Sequence, residues 1–174
     1  MARVIRKHSP NIFPWSSYFE VGVEAIDEQH QTLVGLINKI CTCALNDDSP
    51  PGLLNSLFDE LVSYTQYHFD FEENFYEEND LLKPLLAKHK ENHSDLIAQV
   101  VNLKGKYDLN VDDGAGLEEI LTTLVLWLTN HILRDDMRMC MIISSLNKGV
   151  NVDAVESIVD KELNESKGSI SKIM

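Results

Sequence analysis

The chain has 174 residues and a mass of 19.8 kDa, enough for one domain with a substantial core and an appendage. Its 15 Lys and Arg against 28 Asp and Glu give a formal net charge of -13, which disfavours nucleic-acid backbones and anionic membrane surfaces as partners. No apolar run approaches a membrane span, residues 1–14 lack the apolar core of a signal peptide, and Cys41, Cys43 and Cys140 do not form a disulfide framework, so the expectation is a cytoplasmic protein without membrane insertion.

Residues 1–26 read as an irregular arm, interrupted by Pro10 and Pro14 and supplied with packing surface by Trp15, Tyr18, Phe19 and Val21. Gly22 and Asp27 lead into a first helix, with Asp27 placed to cap it and Ile26 as a staple partner. Its apolar stripe is His30, Leu33, Val34, Ile37, Cys41 and Leu45. Asp47-Asp48-Ser49-Pro50-Pro51-Gly52 is a turn cluster. The second helix follows to about residue 77, striped by Leu54, Leu57, Phe58, Leu61, Tyr64, Thr65, His68, Glu72 and Phe75. Asn79-Asp80 breaks the chain before a third helix over about 81–105, where Pro84 is tolerable in the first turn and Leu82, Leu85, Leu86, His89, His93, Leu96 and Val100 share a face.

A loop from Gly105 to Gly116 precedes the fourth helix, whose stripe is Leu117, Ile120, Leu121, Leu124, Leu128, His131 and Asp135, continuing through Met137, Met141, Ile142 and Leu146 to Gly149. Long helices joined by short loops predict an all-α fold, an antiparallel up-down four-helix bundle with an N-terminal irregular arm and an additional C-terminal helix. The boundaries are 1–26 for the arm, 27–148 for the bundle and 149–174 for a C-terminal connector helix. That last segment carries a partial stripe of Val152, Val155, Val159, Leu163, Ile170 and Met174, broken around Ser166-Lys167-Gly168.

Five histidines sit inside these apolar stripes. A single inward histidine is an ordinary satisfied core or capping residue, but His68 with Glu72 and His89 with His93 are pairs four apart, each able to aim two donors at one point. Five imidazoles and at least two carboxylates exceed one tetrahedral zinc, and no inward cysteines are paired for a thiolate site. Mixed nitrogen and oxygen donors suit iron, manganese or zinc, and two ions sharing carboxylates would offset the cost of burying those charges. No Glu-x-x-His pattern lies on the inward faces, which separates the site from the ferritin-like class. One donor stays open: four residues of α-helix turn about 400°, so Asp135 shares the face of His131 while Asp136 lies further round.

Trp15, Gly22, Ile26-Asp27-Glu28-Gln29-His30, His68-Phe69-Asp70-Phe71-Glu72-Glu73, His89 with His93, and Trp127 with His131-Ile132-Leu133-Arg134-Asp135-Asp136 together resemble the bacterial hemerythrins across residues 15–136. The resemblance implies two non-haem iron ions with an oxo or hydroxo bridge and dioxygen as ligand. It assigns His89, His93 and His131 to one iron, His30 and His68 to the other, and Glu72 and Asp136 to both as bridges. On the open donor it selects Asp136, with Asp135 as the runner-up. It also implies a dioxygen pocket lined by Phe69, Trp127, Leu128 and Ile132 that keeps water away, although all four would serve equally as core residues.

No polar residue of these motifs is placed as a general acid or base, and neither Tyr64 nor Tyr67 is spaced for that task, so this chain is not expected to be catalytic. Reversible oxygen binding or sensing of oxygen or redox state outranks a di-iron oxidase or peroxidase. A free-standing oxygen carrier or an iron store is the other alternative. The tail, with Ala154, Asp160, Glu162-Leu163, Ser166 and the run from Ile170 to Met174, is similar to the connector of hemerythrin domains fused to diguanylate cyclases. That similarity implies a fused C-terminal cyclase, a cyclic di-GMP signalling output and a homodimer formed through the C-terminal helix; the competing expectation is a helix that packs back on the bundle.

Overall fold

Apolar side chains recurring every three or four residues bury one face of each long segment, and the computed structural model, which describes residues 12–46, 48–80, 82–108, 115–151 and 154–161, folds them as helices. These are α1 (Glu24–Ala44), α2 (Leu53–Glu78), α3 (Lys83–Asp108) and α4 (Ala115–Asn130). After α4 the chain winds as a π-helical segment, His131–Asp136, and then as α5 (Met137–Asn147). A single 3-10 turn, Ser17–Phe19, precedes the bundle. Helix α1 packs on α2 and α4, and α3 packs on α2 and α4, which closes an antiparallel four-helix ring. Its axis is filled by Leu33, Ile37, Ile40, Phe58, Leu61, Leu96, Ile120, Leu124 and Leu128, all buried, each contributing about 1.5–3 kcal/mol of hydrophobic stabilisation. The expected all-α bundle, with its arm and its extra C-terminal helix, is the observed fold, and no described helix is long and apolar enough to cross a membrane.

Several local expectations change. Helix α1 starts at Glu24, and Val23 stands at its N-cap without a side-chain cap. Asp27 is therefore not the cap residue. It reaches back from the first turn, where the Val21 and Gly22 N–H groups donate to its Oδ1 and Oδ2 at 2.7 and 3.1 Å, and Gly22 meets it with a φ of 87° that favours glycine. The arm is fixed further along by Asn38, whose Oδ1 accepts from Phe13 N–H at 2.9 Å and whose Nδ2 donates to Phe13 O at 2.8 Å. Phe19 packs edge-on against Phe13 and tilted against Trp15, whereas Tyr18, 74% exposed, supplies no packing. At the stripe ends Leu45 is exposed, and Tyr76 is buried more deeply than Phe75.

Gly149, at a φ of 84°, turns the chain out of α5, and residues 154–161 form a helix that packs back on the bundle. Val155 and Val159 are its buried side chains. Arg138 of α5 holds it from the polar side, donating through Nε to Asp160 Oδ1 at 2.8 Å with Glu156 3.8 Å from its guanidinium. The predicted stripe positions Val152, Leu163, Ile170 and Met174, the break at Ser166-Lys167-Gly168, Asp47 of the first turn and residues 109–114 of the predicted loop lie outside the described residues.

Candidate metal centre

One layer of the bundle is polar. His30 comes from α1, His68 and Glu72 from α2, His89 and His93 from α3, and His131 and Asp136 from the π-helical segment; all seven are buried. The structure brings together every ligand that the sequence singles out. Each carboxylate straddles two groups of rings. Glu72 Oε1 lies 3.6 Å from His68 Nε2, while its Oε2 lies 3.3, 3.3 and 3.5 Å from Nε2 of His89, His93 and His131. Asp136 Oδ2 lies 3.1 Å from His30 Nε2 and its Oδ1 lies 3.3 Å from His131 Nε2.

The π-helical turn sets the two aspartates apart. Met137 N–H donates to Ile132 O, five residues back, and a ladder of that step carries the residue five after His131 round to the face that an α-helix would give to the fourth. Asp136 is accordingly buried completely and Asp135 is 34% exposed. The α-helical arithmetic that favoured Asp135 fails because the helix is not α here. Asp135 instead sits behind the ring, 3.6 Å from His131 Nδ1.

Two more residues stand behind the rings, and the sequence motifs contain both without showing their role. Gln29 Oε1 faces His68 Nδ1 at 2.9 Å and Glu73 Oε1 faces His93 Nδ1 at 3.0 Å. An acceptor at Nδ1 fixes the proton there and leaves Nε2 as a bare donor toward the centre, the arrangement of ring nitrogens that metal sites use. Among the described residues, the buried side-chain nitrogen and oxygen atoms without a hydrogen-bond partner are Nε2 of the five histidines, both oxygens of Glu72 and of Asp136, and His30 Nδ1. Such atoms are costly to bury unpaired, and nine of these ten are the atoms that converge.

The electrostatics agree with a space built for cations. Burial pushes the His68 imidazolium down to about 3 against the opposing pull of Glu72. Burial also works against a charged His131, but Asp136, Asp135 and Glu72 outweigh it and hold the ring well above its usual value. Burial would raise Glu72, yet His68, His131, His89 and His93 keep it well below the usual carboxylate range. Burial and the charge of Glu72 together raise Asp136. The sign of the pH dependence follows. Between about 3 and the usual 6.5 the unfolded chain binds a proton at His68 that the folded chain refuses, so stability falls as pH drops through that window. His131 contributes stability that is complete below 6.5 and is lost as pH rises through its raised folded value. The metal-free protein should therefore resist urea best near pH 6.5; midpoints that climb steadily from about pH 5 to about pH 8 would contradict this.

Aromatic rings pack against the histidines of the layer. Phe69 stacks on His93 with centroids 3.6 Å apart, and Trp127 stacks on His131 at 4.9 Å. Tyr76, which the sequence reading passed over, stacks on His89 at 4.5 Å; burial, with Asp136 and Glu72 adding, raises its phenol so that it stays protonated. One turn along the bundle axis, an apolar cavity of about 20 Å³ is bounded by Leu33, Thr65, Leu96, Leu124, Trp127 and Leu128 among others. Trp127 and Leu128 thus line it. Phe69 and Ile132 are buried but lie outside its wall.

His30, His68, Glu72 and Asp136 bring ligand atoms within 4.8 Å of one another, and Glu72, His89 and His93 do the same. Two donor groups joined by a shared carboxylate, nitrogen-rich and without thiolates, fit a pair of iron ions. Residues 21–143 match the family model described as the Hemerythrin HHE cation binding domain. The chain is 30% identical over 122 residues to the protein named bacteriohemerythrin in Stenotrophomonas maltophilia, covering 70% of this chain and 75% of that one. It is 29% identical over 128 residues to the bacteriohemerythrin of Clostridium acetobutylicum, covering 72% and 96% of the two chains. It is also 29% identical over 129 residues to a hemerythrin-like protein of Naegleria gruberi, covering 74% and 92%. No solved structure matches the chain.

Proposed function

The chain belongs to the hemerythrin family of non-haem di-iron proteins, and from that premise we propose that it binds dioxygen reversibly at a di-iron centre within a bundle spanning residues 27–148. On this reading His89, His93 and His131 would hold one iron and His30 and His68 the other, with Glu72 and Asp136 as the carboxylates shared between the two groups of rings. The observation that carries this reading is the convergence of nine buried, unpartnered donor atoms from four helical elements, with each carboxylate directing one oxygen to each group of rings. When bound, the two irons supply the electrons that dioxygen binding requires. The chain supplies everything else. Glu73, Asp135 and Gln29 orient the rings, while Phe69, Trp127, Leu128 and Ile132 exclude water from the approach to the centre. The three free cysteines, all buried, accord with action in the cytoplasm.

Iron-loaded protein should carry two irons per chain, and the reduced form should gain a visible absorption band on admitting dioxygen that fades when the gas is swept out with argon. A band that never reverses, or steady oxygen consumption when a reductant is present, would replace a binder with an oxidase.

A signalling role is supported by one contact. Arg138 lies two residues beyond Asp136 and grips Asp160 of the docked terminal helix, so movement of the ligand-bearing segment would be transmitted to that helix through a short, half-buried stretch. On this reading residues 149–174 are a connector that carries the oxygen or redox state to an output, a fused cyclase or a paired second chain. Hydrogen exchange over residues 150–161 should differ between the reduced and oxidised iron-loaded forms. Equal protection in the two forms would leave an oxygen carrier.

A further inference from the structure

The two groups of rings are backed unequally. On the three-histidine side, His93 Nδ1 faces the Glu73 carboxylate at 3.0 Å and His131 Nδ1 faces the Asp135 carboxylate at 3.6 Å. Lys90 braces Glu73 from behind, with its Nζ 3.3 Å from Glu73 Oε2 and 3.0 Å from Glu77 Oε1. On the two-histidine side, His68 Nδ1 faces only the neutral amide oxygen of Gln29, and His30 Nδ1 is buried with no hydrogen-bond partner at all. A carboxylate behind an imidazole N–H draws the proton away and strengthens the opposite nitrogen as a ligand, whereas a neutral amide does so less. A ring with nothing behind it gains neither basicity nor a fixed orientation.

We propose that the two metal positions of this chain are graded, with the ion among His89, His93 and His131 held tightly and the ion at His30 and His68 exchangeable, and that Gln29, an acceptor weaker than a carboxylate, is the positioning residue that sets how readily the second ion leaves. This rests on the di-iron reading, and it goes further in assigning to Gln29, Glu73 and Asp135 a difference between the two positions. The count of rings, three against two, acts in the same direction. The contribution of Gln29 is separable because a substitution there leaves that count unchanged.

The test follows iron leaving the intact iron-loaded protein when a strong chromogenic chelator is added in excess. The unaltered chain should release its metal in two phases of equal amplitude, with rates at least about tenfold apart. Gln29→Leu, which removes the acceptor behind His68, should accelerate the fast phase about tenfold and leave the slow phase alone. Gln29→Glu should slow the fast phase toward the slow one. Glu73→Gln and Asp135→Asn should accelerate the slow phase by about 10–100-fold without changing the fast one. Circular dichroism before each run verifies the fold, and Gln29→Leu, which introduces no buried charge, carries the test if Gln29→Glu does not fold. Release of both irons in a single phase, or a Gln29→Leu protein whose fast phase is unchanged, would overturn the gradation while leaving the di-iron reading intact. A starting protein with one iron per chain would overturn both.

Discussion

Glu72→Ala should empty the centre: after gel filtration, an iron-loaded preparation of the variant should contain well under one iron per chain by elemental analysis, against two for the unaltered protein. Glu72 is buried completely, and its two oxygens face opposite groups of rings, Oε1 toward His68 and Oε2 toward His89, His93 and His131. Without it, Asp136 would be the remaining carboxylate of the cluster, set against two multiply charged cations among neutral imidazoles. Unpaired buried charge of that kind is far more costly than any single ligand bond can offset. Glu72→Gln separates charge from shape, since it keeps the volume and one oxygen and loses the negative charge, and the same loss of iron is expected. Two irons retained in either variant would show that the centre does not depend on the bridge.

Stripping the iron should lower the melting temperature by about 10 °C or more. Among the described residues nine buried, converging side-chain atoms lack hydrogen-bond partners when no ion is present, and each such atom costs about 1–3 kcal/mol when isolated, though neighbours in one cluster do not add. A ligand that binds only the folded state at about a thousand times its dissociation constant contributes about 4 kcal/mol. At about 2–4 °C per kcal/mol for a domain of this size, that corresponds to roughly 10–15 °C. Melting curves of iron-loaded and chelator-treated protein that coincide would mean that the polar layer is satisfied without metal.

The helices and the converging side chains are legible in the sequence because both depend on periodicity. A histidine or glutamate on a strongly apolar stripe has nowhere to point but inward, so His30, His68, Glu72, His89, His93 and His131 are found by position alone. Three things escape the same logic. Asp136 is inward only because of a turn wider than α, and nothing in His-Ile-Leu-Arg-Asp-Asp states that width; resemblance to known sequences selected it where helical arithmetic did not. Gln29, Glu73 and Tyr76 act through neighbours on other helices, and such pairings appear only once the helices are docked. Asp27 resembled a cap because it is acidic and stands near a helix start, but the backbone N–H groups it satisfies lie five and six residues upstream, beyond the reach of the usual capping pattern.

The wide turn at His131–Asp136 also makes this a stretch where the winding of the backbone matters as much as the kind of residue. Winding the same six residues as an ordinary α-helix would give a better-formed hydrogen-bond ladder, and a local stability scale would score the change as harmless. Everything downstream would nevertheless rotate by about 100° and advance by about 1.5 Å, taking Asp136 off its partners and swinging Arg138, Met139 and Ile142 around the helix axis. Substitutions here alter one side chain at a time, and most leave the frame standing. For this helix the disabling change is one of winding, whereas loss of one residue that closed the segment into α would return Asp136 to the same face, four residues after His131.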